Sequence, residues 1–344
     1  MRVLVVPYPA SLDVVGGHVT QQLETVRALE RAGVTARVGS AEEALNPDFD
    51  IVHAFGDIRP LLRLGRPKGR LVVSPIYFPR WFVLGPYFQR PGYPYVLATS
   101  FRHYAGWLRR PRARYRRRTD FRSMQAALAT ADVVVVNSSA EASLVRHDAA
   151  DLPPLRVAYS GVAREAFDGD AAHGRELLGI GDEPFVLSVS RVEPRKNTLA
   201  LALALRELPY RLVLVGPVLR GNERYLEAVR KAAPHLVHVP HLEHDLVRHV
   251  HAAAAVHALP SWYETTGLST LEALATGTPV VVGEGPCVRE YFGDCAAFCR
   301  PVSVTSVRGA IVRALDRSTG RECDVARSYS WDRTAQELLR AYAA

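Results

Sequence analysis

Residues 255–282 read AVHALPSWYETTGLSTLEALATGTPVVV. The apolar run Ala255–Leu259 predicts a buried strand, and Pro260 ends it. A short polar loop follows, a helix starts near Gly267, and Thr276–Pro279 leads into a second strand at Val280–Val282. Strand, loop, helix and strand in that order build a parallel sheet covered by helices. In such a sheet ligands sit beyond the carboxyl ends of the strands, which is where this loop lies.

The same alternation runs along the whole chain. In the first half, strands are expected at Arg2–Val6, Val34–Val38, Ile51–Phe55, Leu71–Ser74 and Val133–Asn137. The helix His18–Ala32, with Val19, Leu23 and Val26 on one face, stops at Gly33. The paired prolines within Ala149–Pro154 mark a linker, after which a second series opens at Leu155–Tyr159. It continues through Phe185–Ser190, Arg211–Val215, Leu236–Val239, Ala255–Leu259 and Val280–Val282. The expected fold class is therefore α/β, with two Rossmann-like doubly wound lobes: residues 1–153 on the acceptor side, 154–329 on the donor side. Residues 330–344 form a last amphipathic helix carrying Ala335, Leu338 and Leu339.

The 344 residues, 48% of them apolar, suffice for two cores. No run approaches the roughly 18 apolar residues of a membrane span, and the apolar start is too short for a signal segment, so a cytoplasmic location is expected. Cys287, Cys295, Cys299 and Cys323 contain no CxxC pair, and the expectation is four buried thiols, with neither a metal nor a disulfide framework. The net charge of +8 is local. Arg80–Arg122 holds eleven arginines and one acid, Asp120, hence +10, which leaves −2 for the rest. This segment is interleaved with aromatics, among them Tyr77, Phe78, Trp81, Phe82 and Trp107, and suggests an anionic membrane surface or a lipid-linked acceptor as partner. No nucleic-acid-binding module is recognisable around it.

Chemistry concentrates at the loop quoted first. The N–H groups of Thr266, Gly267 and Leu268 open the helix, and a helix N-terminus favours phosphate. Glu264 precedes the helix and Glu272 lies about one turn inside it. Carboxylates do not bind phosphate, so both are read as holding hydroxyl groups on either side of a diphosphate. On the loop after the strand Phe185–Ser190, Arg191 and Lys196 supply the cations that a diphosphate leaving group needs.

Together these motifs resemble the retaining glycosyltransferases of family 4, which have the GT-B fold. The family's E-x7-E pair is matched by Glu264 and Glu272, and its Arg-x4-Lys pair by Arg191 and Lys196. The likeness extends to YSGV at Tyr159–Val162, TGTPVVV at Thr276–Val282, VREYFGDCAAFC at Val288–Cys299 and the closing SWDRTAQELL. It implies two lobes facing a central cleft, with the last helix crossing back onto the first lobe. It also implies transfer of a hexose from a UDP- or GDP-sugar to an acceptor hydroxyl with retention. Arg191 and Lys196 would hold the diphosphate, Glu272 the ribose, and Glu264 the transferred sugar. Thr265, Thr266, Gly267 and Leu268 would complete the donor site, and Gly16 and Gly17 would approach the donor phosphate from the first lobe.

Two departures stand out. Thr265 follows Glu264 where the family usually has Gly, and SPIYFPRW from Ser74 replaces a usual His-Asp pair, leaving His103 as the one substitute considered. No cofactor or metal is expected. Of the two DxD patterns, Asp48-Phe-Asp50 precedes a strand and Asp168-Gly-Asp170 lies in a polar loop, and the cations already present do a metal's electrostatic work. The rival readings are a GT-B nucleotide-sugar epimerase, a sugar phosphorylase, or a non-catalytic membrane-associated nucleotide-sugar binder.

Overall fold

The computed structural model describes residues 1–7, 16–84, 111–149, 151–317 and 325–344, with side chains left out for 111–115 and 317. The chain forms two compact units. One comprises Met1–Gly85, Arg110–Gly161 and Tyr329–Ala344, and the other is built on Val162–Ser328.

The first unit is a six-stranded, all-parallel sheet in the order β2-β1-β3-β4-β5-β6. Its strands are β1 (Arg2–Val6), β2 (Thr35–Val38), β3 (Ile51–Phe55), β4 (Arg70–Ser74), β5 (Val133–Val136) and β6 (Leu155–Val157). The central strands are buried on both faces, which explains why they read as unbroken apolar runs. The helices are α1 (Gly17–Arg31), α2 (Arg59–Leu64), α3 (Arg80–Leu84), α4 (Pro111–Leu128) and α5 (Ser139–Asp148). Ser138 caps α5 by accepting from Glu141 N.

Three expectations need correction here. The strand expected to open the second series is β6, which pairs with β5 in the first sheet. Pro154 O accepts from Val134 N, so the paired prolines begin an edge strand, where a missing N–H costs nothing. The inward face of α1 is not Val19, Leu23 and Val26: Leu23 is 44% exposed, while Gln21, Gln22, Thr25, Ala28 and Leu29 are buried. Polar residues are tolerated there because Gln21 Nε2 donates to Asn137 Oδ1 (2.7 Å) and Ser160 Oγ (3.2 Å). Cys295 is disulfide-bonded, against the expectation of four thiols. Sequence spacing cannot show proximity in space, which is what decides a disulfide. Cys287 and Cys299 are free and buried, and Cys323 lies outside the described residues.

The C-terminal helix Trp331–Ala343 belongs to the first unit and packs on α1 and β5. Trp331, Thr334, Ala335, Leu338 and Tyr342 are buried, and Leu339 is only half-buried. Tyr342 Oη lies 2.8 Å from His53 Nδ1, and Arg31 pairs with Asp332 at 2.8 Å. Gly161 is required by packing, since a Cβ there would sit 2.2 Å from the Ser330 carbonyl carbon.

The second unit is also six-stranded and parallel, ordered β12-β11-β10-β7-β8-β9. Its strands are β7 (Phe185–Val189), β8 (Arg211–Val215), β9 (Val237–Val239), β10 (Val256–Leu259), β11 (Val280–Gly283) and β12 (Ala296–Cys299). Its helices are α6 (Ala171–Leu178), α7 (Thr198–Leu205), α8 (Glu223–Ala232), α9 (Val247–Ala253), α10 (Leu268–Ala275), α11 (Pro286–Phe292) and α12 (Val304–Arg317), with a short turn of helix at Val325–Ser328. From β7 the chain winds one way through β8 and β9, then returns to β10 and winds the other way. The strand order therefore reverses between β7 and β10, which is where such sheets hold ligands.

Candidate functional site

The loops leaving β7 and β10 meet at that reversal. Backbone contacts stitch them together: Trp262 N donates to Arg195 O at 2.9 Å, and Arg195 Nη1 to Tyr263 O at 3.0 Å. Asn197, in the left-handed conformation at φ 59°, ends a turn of 3₁₀ helix at Pro194–Lys196. Its Nδ2 donates to Pro260 O (3.1 Å) and Pro301 O (2.8 Å). Asn tolerates this backbone region better than most residues. Lys196 is thereby set against the loop that carries Glu264.

A chain of five charges results. Glu264 Oε1 takes Lys196 Nζ at 2.6 Å and Arg195 Nη1 at 3.1 Å. Glu193 Oε1 in turn takes Arg195 Nη2 at 2.8 Å and Arg191 Nη2 at 3.4 Å. The side chains of Glu264, Glu193, Lys196 and Arg195 are 12–16% exposed, and that of Arg191 is 23%. Burial by itself raises the Glu264 carboxyl, but the Lys196 and Arg195 charges outweigh it and hold the group at about 2. Lys196 goes the other way. Its burial, with Arg195 beside it, exceeds what Glu264 and Glu193 return and brings it down to about 8. Both are ionised at neutral pH, so Glu264 is held as a carboxylate.

Gly267, at φ +81°, caps α10, a conformation that a side chain would strain. Its carbonyl accepts from the N–H groups of Thr270 and Leu271, while those of Leu268 and Ser269 have no intrahelical partner. Thr266 and Gly267 are buried; Thr265 and Leu268 are half-buried. Glu272, one turn into α10, is 15% exposed at its side chain, and its Oε1 lies 2.8 Å from His244 Nε2. The structure thus joins Lys196 and Glu264 directly, links Arg191 to them through Glu193 and Arg195, and gives Glu272 a different partner.

Sequence reasoning missed Glu193, Arg195, Asn197 and His244. Arg195 adjoins Lys196 within the basic motif, so a signal was there; His244 is far in sequence from Glu272 and gave none. It also passed over His251 and His257, fully buried, with rings 5.0 Å apart and edge-on. Burial pushes both down to about 3, so they are neutral. Gly16 and Gly17 open α1 in the first unit, and His103 lies outside the described residues.

In the loop that replaces the His-Asp pair, Ile76 adopts φ 47°, an outlier for a β-branched residue. The loop is fixed by α5. The fully buried Glu141 accepts from Tyr77 N at 2.8 Å and Asn137 N at 2.6 Å, and Asp148 accepts from Tyr77 Oη and Arg80 N. Burial raises Glu141 to about 7 despite those N–H donors.

Among the described residues no group of three or more His, Cys, Asp or Glu could hold a metal ion, and no helix is long and apolar enough to cross a membrane.

Residues 173–327 match the family model described as Glycosyl transferases group 1. The chain is 34% identical over 224 residues to the GDP-mannose-dependent alpha-(1-6)-phosphatidylinositol monomannoside mannosyltransferase of Mycolicibacterium smegmatis, covering 58% of this chain and 55% of the relative. It is 32% identical over 247 residues to the D-inositol 3-phosphate glycosyltransferase of Stackebrandtia nassauensis, covering 63% and 55%. The chain spans about half the length of the curated relatives it matches. Among solved structures, the sucrose-phosphate synthase of Thermosynechococcus elongatus superposes with a TM-score of 0.76 at 17% identity, covering 100% of this chain and 98% of that one. The Anabaena protein HepE, in complex with UDP and glucose, does so with 0.71 at 15% identity, covering 100% of both. The fold is GT-B: two α/β units, each on a six-stranded parallel sheet.

Proposed function

We propose that this protein is a retaining glycosyltransferase that moves a hexose from a nucleotide-diphosphate donor, UDP- or GDP-linked, to an acceptor hydroxyl. The observation that carries the reading is the ionised Glu264, held by Lys196 and Arg195 just ahead of the helix start at Gly267, at the reversal point of the second sheet. A carboxylate there accepts sugar hydroxyls, while the helix N–H groups and Arg191 take the diphosphate. Glu272 holds the ribose, with His244 beside it. Thr265 narrows the sugar pocket where a Gly would leave it open.

In the reaction the bond from the anomeric carbon to the phosphate oxygen breaks, and one from that carbon to the acceptor oxygen forms on the same face. The acceptor proton passes to the leaving phosphate oxygen. Negative charge grows on the diphosphate, where preorganised cations and helix N–H groups stabilise it. The resident cations make the reaction independent of an added metal. A lipid-linked acceptor and a cytoplasmic location belong to the same proposal. Similarity to a GDP-mannose-dependent phosphatidylinositol monomannoside mannosyltransferase supports a nucleotide-sugar donor and an acceptor of this kind.

The test is a panel of UDP- and GDP-sugars screened for thermal stabilisation, followed by product analysis. A ligand at about 100 times its Kd adds roughly 2.7 kcal/mol, a readily measured shift. Free nucleotide release only when an acceptor is present supports transfer. A changed sugar from donor alone would mean an epimerase, and dependence on inorganic phosphate a phosphorylase.

A further inference from the structure

We propose that His244 is a positioning residue for nucleotide binding, holding the Glu272 carboxylate in the orientation that reads the ribose hydroxyls. The proposal rests on the reading of Glu272 as the ribose-binding carboxylate and gives that residue the partner it needs.

The fold brings the two side chains together through a long connection. β9 is the outermost strand on its side of the second sheet, separated from β10 by β8 and β7, so the chain between β9 and β10 must travel back across two strands to the reversal. His244 lies in that connection, in the turn of 3₁₀ helix His244–Leu246 that leads into α9. In a parallel sheet each helix that follows a strand starts at the carboxyl ends of the strands. His244 at the start of α9 and Glu272 one turn into α10 therefore stand toward the same end of the sheet, the one where ligands sit. Helical side chains tilt toward the N-terminus of their own helix, which carries the Glu272 carboxylate further that way. α9 and α10 pack together. Past the end of α10, Thr278 Oγ1 donates to His251 O of α9 at 2.6 Å. Toward the ligand end the link is His244 itself, with Nε2 2.8 Å from Glu272 Oε1.

The two carboxylates of the site are thus held in different ways. Glu264 sits against two cations, Lys196 and Arg195. Among the described residues no lysine or arginine pairs with Glu272, and its ionic contact is to a histidine. A carboxylate only accepts, so the His244 Nε2–H donates. Two carboxylate oxygens offer about four acceptor positions, so one given to His244 leaves the others for hydroxyl groups. The bond also fixes the last rotations of a long side chain before a nucleotide arrives, which removes that ordering cost from binding. An imidazole donates in its neutral form as well as its charged one, so the carboxylate is oriented without a permanent cation beside the ribose. The other histidines nearby do not substitute for it. His241 Nε2 lies 2.9 Å from Glu243 Oε1, and His251, further along α9, is fully buried and neutral.

The experiment is calorimetry of the full chain with UDP, GDP and their 2′,3′-dideoxy counterparts, for wild type, His244→Ala and His244→Gln. The wild type should prefer the ribonucleotide to its dideoxy form. His244→Ala should weaken the ribonucleotide about tenfold, the lower end of what a hydrogen bond to a charged group contributes. It should leave the dideoxy form unchanged, because without the hydroxyls the orientation of Glu272 has nothing to read. His244→Gln keeps an N–H at the reach of Nε2 and should restore most of the affinity. In a transfer assay the donor KM of His244→Ala should rise by more than kcat falls. His244 is exposed, so both variants should fold, and unchanged unfolding midpoints verify it. Equal weakening of the ribose and dideoxy forms by His244→Ala, or no weakening of either, would overturn the role of His244 while leaving that of Glu272 standing. Equal affinity of the wild type for the two forms would overturn the ribose reading of Glu272, and the role of His244 with it.

Discussion

Glu264→Gln removes one charge from the five-membered chain and keeps its shape, so its effect follows from the charges alone. Holding Glu264 at about 2 instead of 4.5 contributes roughly 3 kcal/mol at neutral pH. Bringing Lys196 from 10.5 to about 8 costs roughly as much. The intact pair therefore adds little net stability, as is common for buried ion pairs, but breaking it leaves Lys196 and Arg195 buried with one carboxylate fewer. That should destabilise the variant by on the order of 3 kcal/mol. The pH dependence has a definite sign. The Glu264 contribution is complete above about 4.5 and is lost as pH falls through the folded value near 2, so the gap between wild type and variant should be widest near neutrality and close on acidification. Nucleoside diphosphate brings negative charge to the same cations, so UDP or GDP should stabilise the variant at least as much as the wild type. Turnover should fall at least about a hundredfold, since the group facing the sugar has lost its charge. Urea unfolding across pH with and without nucleotide, plus a transfer assay, measures all of this. A gap that stays constant from neutral to acid pH, or wild-type turnover, would refute the reasoning.

Among the described residues Arg191 makes one ionic contact, at 3.4 Å, longer than a charge-assisted hydrogen bond, whereas Lys196 Nζ lies 2.6 Å from Glu264 Oε1. Arg191→Ala should therefore weaken nucleotide binding by about 1.5–3 kcal/mol in calorimetry, while Lys196→Ala should lower kcat more than affinity; equal effects on both parameters would contradict the division. Gly267→Ala forces a side chain into φ +81° and should cost about 1–2 kcal/mol of stability, with weaker nucleotide binding as the helix start shifts, both read from thermal melts with and without UDP or GDP. Turnover in EDTA should match that in added Mg²⁺, and a drop in EDTA restored by Mg²⁺ would show that a metal assists.

Much of the fold was legible because a strand buried on both faces must be written as an apolar run. Val133–Val136 and Phe185–Val189 could hardly be anything else, and their alternation with helices allows few sheets besides parallel ones. What could not be read was membership. β6 is a three-residue edge strand with a mixed burial pattern, and only its pairing with β5 assigns it to the first sheet. β12 was missed because Ala296–Cys299 is short and adjoins a Gly-Asp turn that reads as loop. The inward face of α1 was misread because an apolar-stripe rule has no place for Gln21, which is buried by its hydrogen bonds to Asn137 and Ser160, residues more than a hundred positions away.

The candidate site divides in the same way. Glu264, Arg191 and Lys196 were found because local spacing puts them on the two loops that a doubly wound sheet must bring together. Spacing says where a residue is carried and not what it touches. Lys196 was read as a ligand for phosphate, yet its ammonium lies 2.6 Å from Glu264, so much of its charge is spent fixing the carboxylate that was assigned to the sugar. Arg195 was overlooked as one more arginine beside a lysine, yet it bridges both carboxylates and holds the backbone of Tyr263. Three cations against two carboxylates leave the cluster one positive charge in excess. A diphosphate therefore finds a site whose cations are mostly held in place by carboxylates before it arrives, with Arg191 the least engaged of them. That arrangement favours orientation over raw attraction, which is what a leaving group needs when its charge grows only as the bond breaks.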